Sequence, residues 1–159
     1  MSQPKLQHDD LSAVAASAAR NKLPILLIVS QHYCPFCVRL KEEIIHPMLI
    51  SSDYEQKAVI TEILLDDPGD IRDFKGKPIK PGALASKYHV WVTPTLLFLD
   101  STGRELHRRM LGVNTIEMYS YYLDTSLDAA LKALRNGDYS YVASKEDIQG
   151  DAPGSDQLH

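Results

Sequence analysis

The run Ile25-Leu26-Leu27-Ile28-Val29 is the feature that most constrains the fold, because five consecutive apolar residues are stable only when buried. Such an uninterrupted, partly β-branched run is typical of a strand that is covered on both faces. The next apolar stripe, at Cys37, Leu40, Ile44 and Met48, has helical spacing. The sequence therefore predicts a buried strand, a short turn and a helix that begins near Cys34.

The rest of the chain supplies alternating helical and strand patterns around this unit. After a first helix at 9–22 and the central unit, we predict a strand at 57–65, a surface excursion at 66–81, a short helix at 81–89 and strands at 95–99 and 104–111. A capping pattern at Asn114 and Glu117 opens the last helix, which ends at 136–137. A β-α-β start gives a parallel pair, and the later hairpin adds antiparallel strands. We therefore expect an α/β domain with a central mixed sheet of about four strands, a possible edge strand, and helices on both faces.

The two ends of the chain lack this periodicity. Residues 1–8 are predicted to be a loose lead-in, and residues 9–137 to form the folded domain. Residues 138–159 are rich in Gly, Pro, Ser and Asp and are predicted to be a flexible C-terminal tail. The helix that begins near Cys34 is predicted to run to residue 45 or 46, where Pro47 is expected to kink or end it, because the proline ring clashes with the preceding turn.

Length and charge narrow the function classes. The 159 residues fit one domain, and 44% hydrophobic with 24% charged residues is ordinary globular usage. The net charge is -4 and Arg108-Arg109 is the only adjacent basic pair, so we expect no nucleic-acid partner. We expect a monomer without a membrane span. The polar N-terminus has no signal-peptide core, so the protein is either cytoplasmic or a mature form whose leader was removed.

The only two cysteines, Cys34 and Cys37, are three residues apart and can close a small disulfide ring. Cys34 falls at the helix N-terminus, where free backbone N–H groups and the helix dipole favour a thiolate. Pro35 suits the first helical turn because it needs no hydrogen bond there. Cys37 lies on the apolar stripe and is expected to be shielded. We therefore predict that Cys34 attacks a disulfide and Cys37 resolves the intermediate.

Two other readings of this pair are an inert buried pair and half of a zinc site. Zinc would need further ligands, for which His32, His46 and His89 are available. Structural zinc sites usually draw their ligands from two closely spaced pairs, and none of these histidines forms a second such pair with another ligand. The setting between a strand and a helix favours redox chemistry, so we expect no metal.

A second candidate site lies at Val92-Thr93-Pro94-Thr95, where a proline enters an apolar strand. With the dithiol, the turn sequence Asp100-Ser101-Thr102-Gly103 and the later Gly112, the chain resembles thioredoxin-fold proteins over residues 9–134. The helix before the first strand and the excursion at 73–81 make it most similar to the SoxW-like, thioredoxin-related bacterial branch.

The resemblance implies a thioredoxin-like fold and a thiol–disulfide oxidoreductase that acts on protein disulfides, more as a reductase than as an oxidant. Electrons would come from an upstream dithiol protein without an organic cofactor, and a mature chain would be periplasmic. Pro94 would be cis and pack against the dithiol with Pro35 and Phe36. Thr93 would offer its backbone to the substrate, and Gly112 would let the substrate backbone approach.

Two alternatives remain at this point. The Cys-Pro-aromatic-Cys motif is also similar to that of glutaredoxins, which use glutathione. Against this alternative, Leu111-Gly112-Val113-Asn114 lacks an obvious glutathione clamp. The other alternative is a non-catalytic module in which the dithiol senses redox state or binds a metal.

The sequence departs from the thioredoxin pattern at three positions. Ile28 replaces the buried acid that precedes the dithiol, and Glu62 stands where thioredoxins carry a buried lysine. Glu62 is therefore a candidate proton acceptor for Cys37, although a lone carboxylate is more often exposed to solvent. Val92 replaces a glycine beside Trp91, whose ring is either a partner contact or part of the core.

Overall fold

The computed structural model describes residues 6–113 and 116–149. Residues 1–5 of the expected lead-in, the predicted cap Asn114 and residues 150–159 of the expected tail lie outside this range. The described elements are α1 Leu11–Asn21, β1 Ile25–Ser30, α2 Pro35–Leu40, a π turn Lys41–Ile45, α3 His46–Ile50, a 3₁₀ turn Ser52–Gln56, β2 Val59–Leu64, β3 Ile71–Arg72, β4 Pro78–Ile79, α4 Pro81–Lys87, β5 Thr95–Leu99, β6 Glu105–Leu111, α5 Ile116–Asn136 and α6 Lys145–Gln149.

The central sheet has the strand order β2-β1-β5-β6. β1 pairs in parallel with β2, and β5 pairs antiparallel with both β1 and β6. This arrangement confirms the predicted mixed sheet of four strands. The excursion at 66–81 contains a separate two-stranded hairpin of β3 and β4 rather than a fifth strand of the central sheet.

Helices cover both faces of the sheet, as predicted, because side chains of β1 alternate between two cores. One core joins β1 and β5 to α2, α3 and α5, and the other joins them to α1 and α4. All six residues of β1 are buried, which agrees with the continuous apolar run. No helix in the described ranges is long and apolar enough to cross a membrane.

The helix that carries the dithiol passes Pro47 instead of ending there. α2, the π turn and α3 follow one another directly, with right-handed helical conformations at Lys41 and His46 where they join. The wider π turn accommodates the proline ring and its missing N–H, so the helix extends to Ile50. The predicted end at residue 45 or 46 is therefore too early.

Both ends of the described chain pack more closely than the sequence indicated. The Leu6 carbonyl accepts a hydrogen bond from the Glu62 N–H (3.1 Å), so the lead-in reaches the edge of β2. Residues 138–149, expected to be tail, include α6 and bury Asp147. These contacts use backbone groups and single charged residues, which leave no apolar periodicity in the sequence.

Candidate active site

The dithiol lies where β1 passes into α2. Cys34 is the N-cap of α2, Pro35 occupies its first turn, and Cys34 Sγ accepts the N–H of Cys37 at 3.2 Å. The two cysteines form a disulfide with a Cα–Cα distance of 5.2 Å. Only 6% of Cys34 and 2% of Cys37 are exposed. The helix N-terminus therefore supports a negative charge on Cys34, whereas Cys37 faces the core.

A loop before β5 faces the dithiol. The Thr93–Pro94 peptide bond is cis, as the resemblance implied, and Pro94 is buried. The Thr93 carbonyl oxygen and Thr93 Oγ1 lie 3.8 Å and 3.6 Å from Cys34 Sγ. The fold thus places Thr93 directly beside the sulfur that is expected to react.

Gly112 joins the same site from the end of β6. Its N–H donates to the Pro94 carbonyl at 2.8 Å, and its φ of +66° is one that side-chain-bearing residues rarely adopt. Apart from its two chain neighbours, no heavy atom of the described residues lies within 4 Å of the position that a Cβ would occupy. The space beside Gly112 is therefore open for an approaching chain.

The rim around Cys34 carries exposed apolar side chains. Tyr33 is fully exposed with a φ of +56°, and 46% of Phe36 is exposed. Sequence reasoning singled out Phe36 but missed the contribution of Tyr33. A large apolar side chain that is held in solvent beside Cys34 is available for contact with a partner.

Asp66, at the end of β2, holds the turn that precedes the dithiol and was also missed. Its carboxylate accepts the His32 N–H at 3.1 and 3.2 Å and lies 3.1 Å from His32 Nδ1. Desolvation alone would raise the pKa of Asp66, but the hydrogen bonds from His32 hold it below its ordinary value. No local pattern links residues 32 and 66, since the contact arises from the parallel pairing of β1 and β2.

Glu62 is buried, with only 2% of the residue exposed, so the expectation that it faces solvent is wrong. It pairs in register with Ile28 and lies on the sheet face that α2 covers. Lys41 Nζ lies 3.3 Å from Glu62 Oε2, and Gln7 Nε2 donates to Oε1 at 3.1 Å. These two partners offset the cost of burying the carboxyl group. The spacing of Lys41, one helical turn after Cys37, is a signal that sequence reasoning overlooked.

Trp91 is partly buried, and its indole N–H donates to the Asp147 carbonyl at 2.8 Å. Neither sequence interpretation, partner contact or core ring, included this contact with the C-terminal segment. The neighbouring Val92 stands where the thioredoxin pattern has a glycine. Its side chain is buried and therefore adds packing next to Thr93.

Among the residues that the structure describes, no group of three or more His, Cys, Asp or Glu side chains could hold a metal ion.

A family model described as a thioredoxin-like domain matches residues 11–127, most of the chain. No curated protein matches the chain. The matched range contains the dithiol, Thr93, Pro94 and Gly112, which the structure brings together.

Several solved structures share the fold at low identity. A poplar thioredoxin h mutant is 15% identical, with a TM-score of 0.53 over 87% of this chain and 97% of that chain. Thioredoxin O2 from Arabidopsis thaliana in its oxidized state is 19% identical, with a TM-score of 0.50 over 76% of this chain and 93% of that chain. The DsbH oxidoreductase is 20% identical, with a TM-score of 0.50 over 79% of this chain and 87% of that chain.

Proposed function

The chain belongs to the thioredoxin-like domain family and is a thiol–disulfide oxidoreductase, and from that premise we propose that it reduces disulfides in protein substrates. The observation that carries the proposal is the position of Cys34 at the N-cap of α2, beside Thr93 and between the exposed side chains of Tyr33 and Phe36. A thiolate at this position is stabilised by the helix terminus, and the Thr93 hydroxyl, 3.6 Å from Cys34 Sγ, can donate a hydrogen bond to it.

The proposed reaction has two exchange steps. The Cys34 thiolate attacks one sulfur of the substrate disulfide, forms a mixed disulfide and expels the other substrate sulfur as a thiolate. Cys37 then loses its proton and attacks Cys34 Sγ, which releases the second substrate thiol. Two electrons pass to the substrate, and the protein ends with the Cys34–Cys37 disulfide that the structure contains.

The substrate segment is proposed to bind in an extended conformation between Thr93 and Gly112. The Thr93 backbone lies beside Cys34 Sγ, and the space at Gly112 is open. Backbone hydrogen bonds to such a segment would align its disulfide with Cys34 without requiring a particular side chain. Tyr33 and Phe36 would add apolar contact at the rim.

Glu62 is proposed to accept the proton of Cys37 in the second step. Both residues belong to the side of the sheet that α2 covers, and Lys41 pairs with Glu62 one turn after Cys37. The arrangement would supply the function of the missing acid at Ile28 from the neighbouring strand. A buried base that is within reach of a shielded thiol can accelerate the resolving step.

The electron donor is proposed to be an upstream dithiol protein, and no organic cofactor is required by the two exchange steps. The finer similarity to the SoxW-like branch stays a proposal, which α1 and the β3–β4 hairpin support because they match the helix and excursion on which it was based.

The reductase proposal is tested on a protein substrate that has two chains joined by a disulfide, with dithiothreitol as the electron source. Reduction of that disulfide separates the chains and one of them precipitates, so the rise in turbidity measures the rate of reduction. Cys34→Ser should abolish the catalysed rate. Cys37→Ser should instead accumulate a mixed disulfide with the substrate, visible by mass spectrometry under non-reducing conditions. Full activity of Cys34→Ser would contradict the assigned nucleophile.

The direction of the reaction is tested by a redox titration of the Cys34–Cys37 couple. A reductase should titrate near the thioredoxin potential of about -270 mV, whereas a value near about -120 mV would identify an oxidant. A stable glutathione adduct on Cys37→Ser, formed in preference to one with the protein substrate, would favour the glutathione-dependent alternative.

A further inference from the structure

The C-terminal segment 138–149, called the strap below, runs from the end of α5 to the active-site loop. Arg104 of the β5–β6 hairpin donates to the Tyr139 carbonyl at 2.8 Å and stacks on the Tyr139 ring. Further along, the Trp91 indole N–H donates to the Asp147 carbonyl, and Arg108 Nη2 lies 3.4 Å from Asp147 Oδ1. The strap thus touches the body at both of its ends.

The contacts of the strap are polar and few. Asp147 is the only buried residue within 138–148, and 81% of Val142 is exposed. Burying a carboxylate costs free energy that a single long ion pair offsets poorly. A segment with little buried apolar surface opens locally at low cost.

The strap and the neighbouring strand β6 contain buried polar atoms that have no hydrogen-bond partner among the described residues. Asp147 Oδ2, the Tyr141 hydroxyl and Arg109 Nη1 form no hydrogen bond with the described residues. The other two guanidinium nitrogens of Arg109, Nε and Nη2, donate to the Glu105 carboxylate at 3.1 and 2.9 Å. Release of the strap returns such unpaired groups to water, which lowers the free-energy cost of opening the junction.

The far end of the strap lies at the rim of the substrate groove. Trp91 is two residues before Thr93, whose carbonyl is 3.8 Å from Cys34 Sγ. Tryptophan is a strong contact residue at protein interfaces when its ring is accessible. The strap withholds part of this ring from any partner that approaches Cys34.

We propose that the strap is a detachable cover over Trp91 that determines which disulfides reach Cys34. This inference rests on the proposed function. With the strap docked, small disulfides reach Cys34 freely, whereas a folded protein partner meets α6 at the rim. With the strap released, Trp91 becomes a contact for the larger partner.

The test reverses one charge in the full chain. Asp147→Lys places a cation against Arg108 and should release the strap. Glu146→Lys is the matched control, since it makes the same change at the neighbouring exposed position in the first turn of α6. Trp91 is the only tryptophan in the sequence, so its fluorescence reports the docking directly.

Asp147→Lys should shift Trp91 emission to longer wavelength and increase its quenching by acrylamide, whereas Glu146→Lys should leave both unchanged. The rate with a protein disulfide should rise by about tenfold, equivalent to about 1.4 kcal/mol, while the rate with a small aromatic disulfide should stay the same. Arg108→Glu, which breaks the same ion pair from β6, should reproduce both effects.

Release of Trp91 without a change in the ratio of the two rates would overturn the proposal. Unchanged Trp91 fluorescence in both Asp147→Lys and Arg108→Glu would also overturn it, because the strap would then not be detachable at this contact. If the unmutated protein failed to reduce the small disulfide, that result would instead count against the proposed reductase function.

Discussion

At the scale of single residues, Glu62 sets the electrostatics beneath the dithiol helix. Its carboxyl group is buried between the Lys41 ammonium at 3.3 Å and the Gln7 amide at 3.1 Å. Lys41 lies in the π turn after α2 and Gln7 lies in the segment before α1, so the position of the carboxyl group depends on how both segments pack on β2. A carboxylate that is fixed by two partners is preorganised for the proton transfer that we propose for Glu62.

Replacing Glu62 by Gln keeps the size of the side chain and removes its capacity to accept a proton. We expect Glu62→Gln to slow release from the mixed disulfide by on the order of 10²-fold, the lower range for general-base catalysis, and to leave the attack by Cys34 unchanged. Single-turnover kinetics across a pH series measures both steps.

Glu42→Gln is the matched control for that experiment, since Glu42 is an exposed residue next to Lys41 in the same π turn. It should leave both steps unchanged. Equal rates for Glu62→Gln and Glu42→Gln would remove Glu62 from the proton transfer.

At the scale of elements, the turn between β5 and β6 aligns the two strands whose ends carry Pro94 and Gly112. The Asp100 carboxylate accepts the N–H groups of Thr102 at 2.8 Å and Arg104 at 3.0 Å. Gly103 has a φ of +90°, and its carbonyl accepts the hydroxyl of Tyr88 from the end of α4. The turn therefore joins the sheet to the helix that leads into the active-site loop.

Gly103→Ala should destabilise the fold more than Gly137→Ala does. Both glycines have positive φ, but a Cβ on Gly103 would lie 2.8 Å from the Tyr88 hydroxyl and 2.9 Å from the Phe74 ring. A Cβ on Gly137 would meet no atom within 4 Å among the described residues outside its chain neighbours. We expect a difference of about 1–3 kcal/mol in the free energy of unfolding, the usual cost of overpacking.

Urea denaturation of the two oxidised variants measures that difference. Equal midpoints would show that Tyr88 and Phe74 move aside at no cost, and that the conformation of the backbone alone limits substitution at Gly103.

At the scale of the whole molecule, both edges of the central sheet carry features that oppose pairing with another chain. The Leu6 carbonyl occupies the Glu62 N–H at the outer edge of β2, and Gln7 forms a bridge with Glu62. β6 bears Glu105, Arg108 and Arg109, and charged side chains on an edge strand discourage edge-to-edge association.

We therefore predict that the protein is a monomer in solution. Light scattering coupled to size-exclusion chromatography should give the chain mass of 17.8 kDa across a wide range of concentrations. A mass that rises to that of a dimer with concentration would contradict the prediction and direct attention to the exposed aromatic residues of α5, Tyr121 and Tyr122.

The sequence by itself determined the elements and the reactive pair. The apolar run of β1, the stripe of α2 and the turn residues around Gly103 are local patterns, and each was found within a few residues of its predicted place. Cys34 and Cys37 were identifiable because spacing and position at a helix terminus are properties of neighbouring residues. The placement of Thr93, Pro94 and Gly112 followed from the resemblance and not from local chemistry.

Only the tertiary structure decided the burial of Glu62, the contact of His32 with Asp66 and the course of residues 138–149. Each depends on residues far apart in the chain: Lys41 with Glu62, Asp66 with His32, and Trp91 with Asp147. A single polar contact across the fold leaves no periodic signal, because its free energy depends on burial and distance and not on the identity of adjacent residues. The reacting sulfurs are thus a property of a short segment, whereas their surroundings are a property of the whole fold.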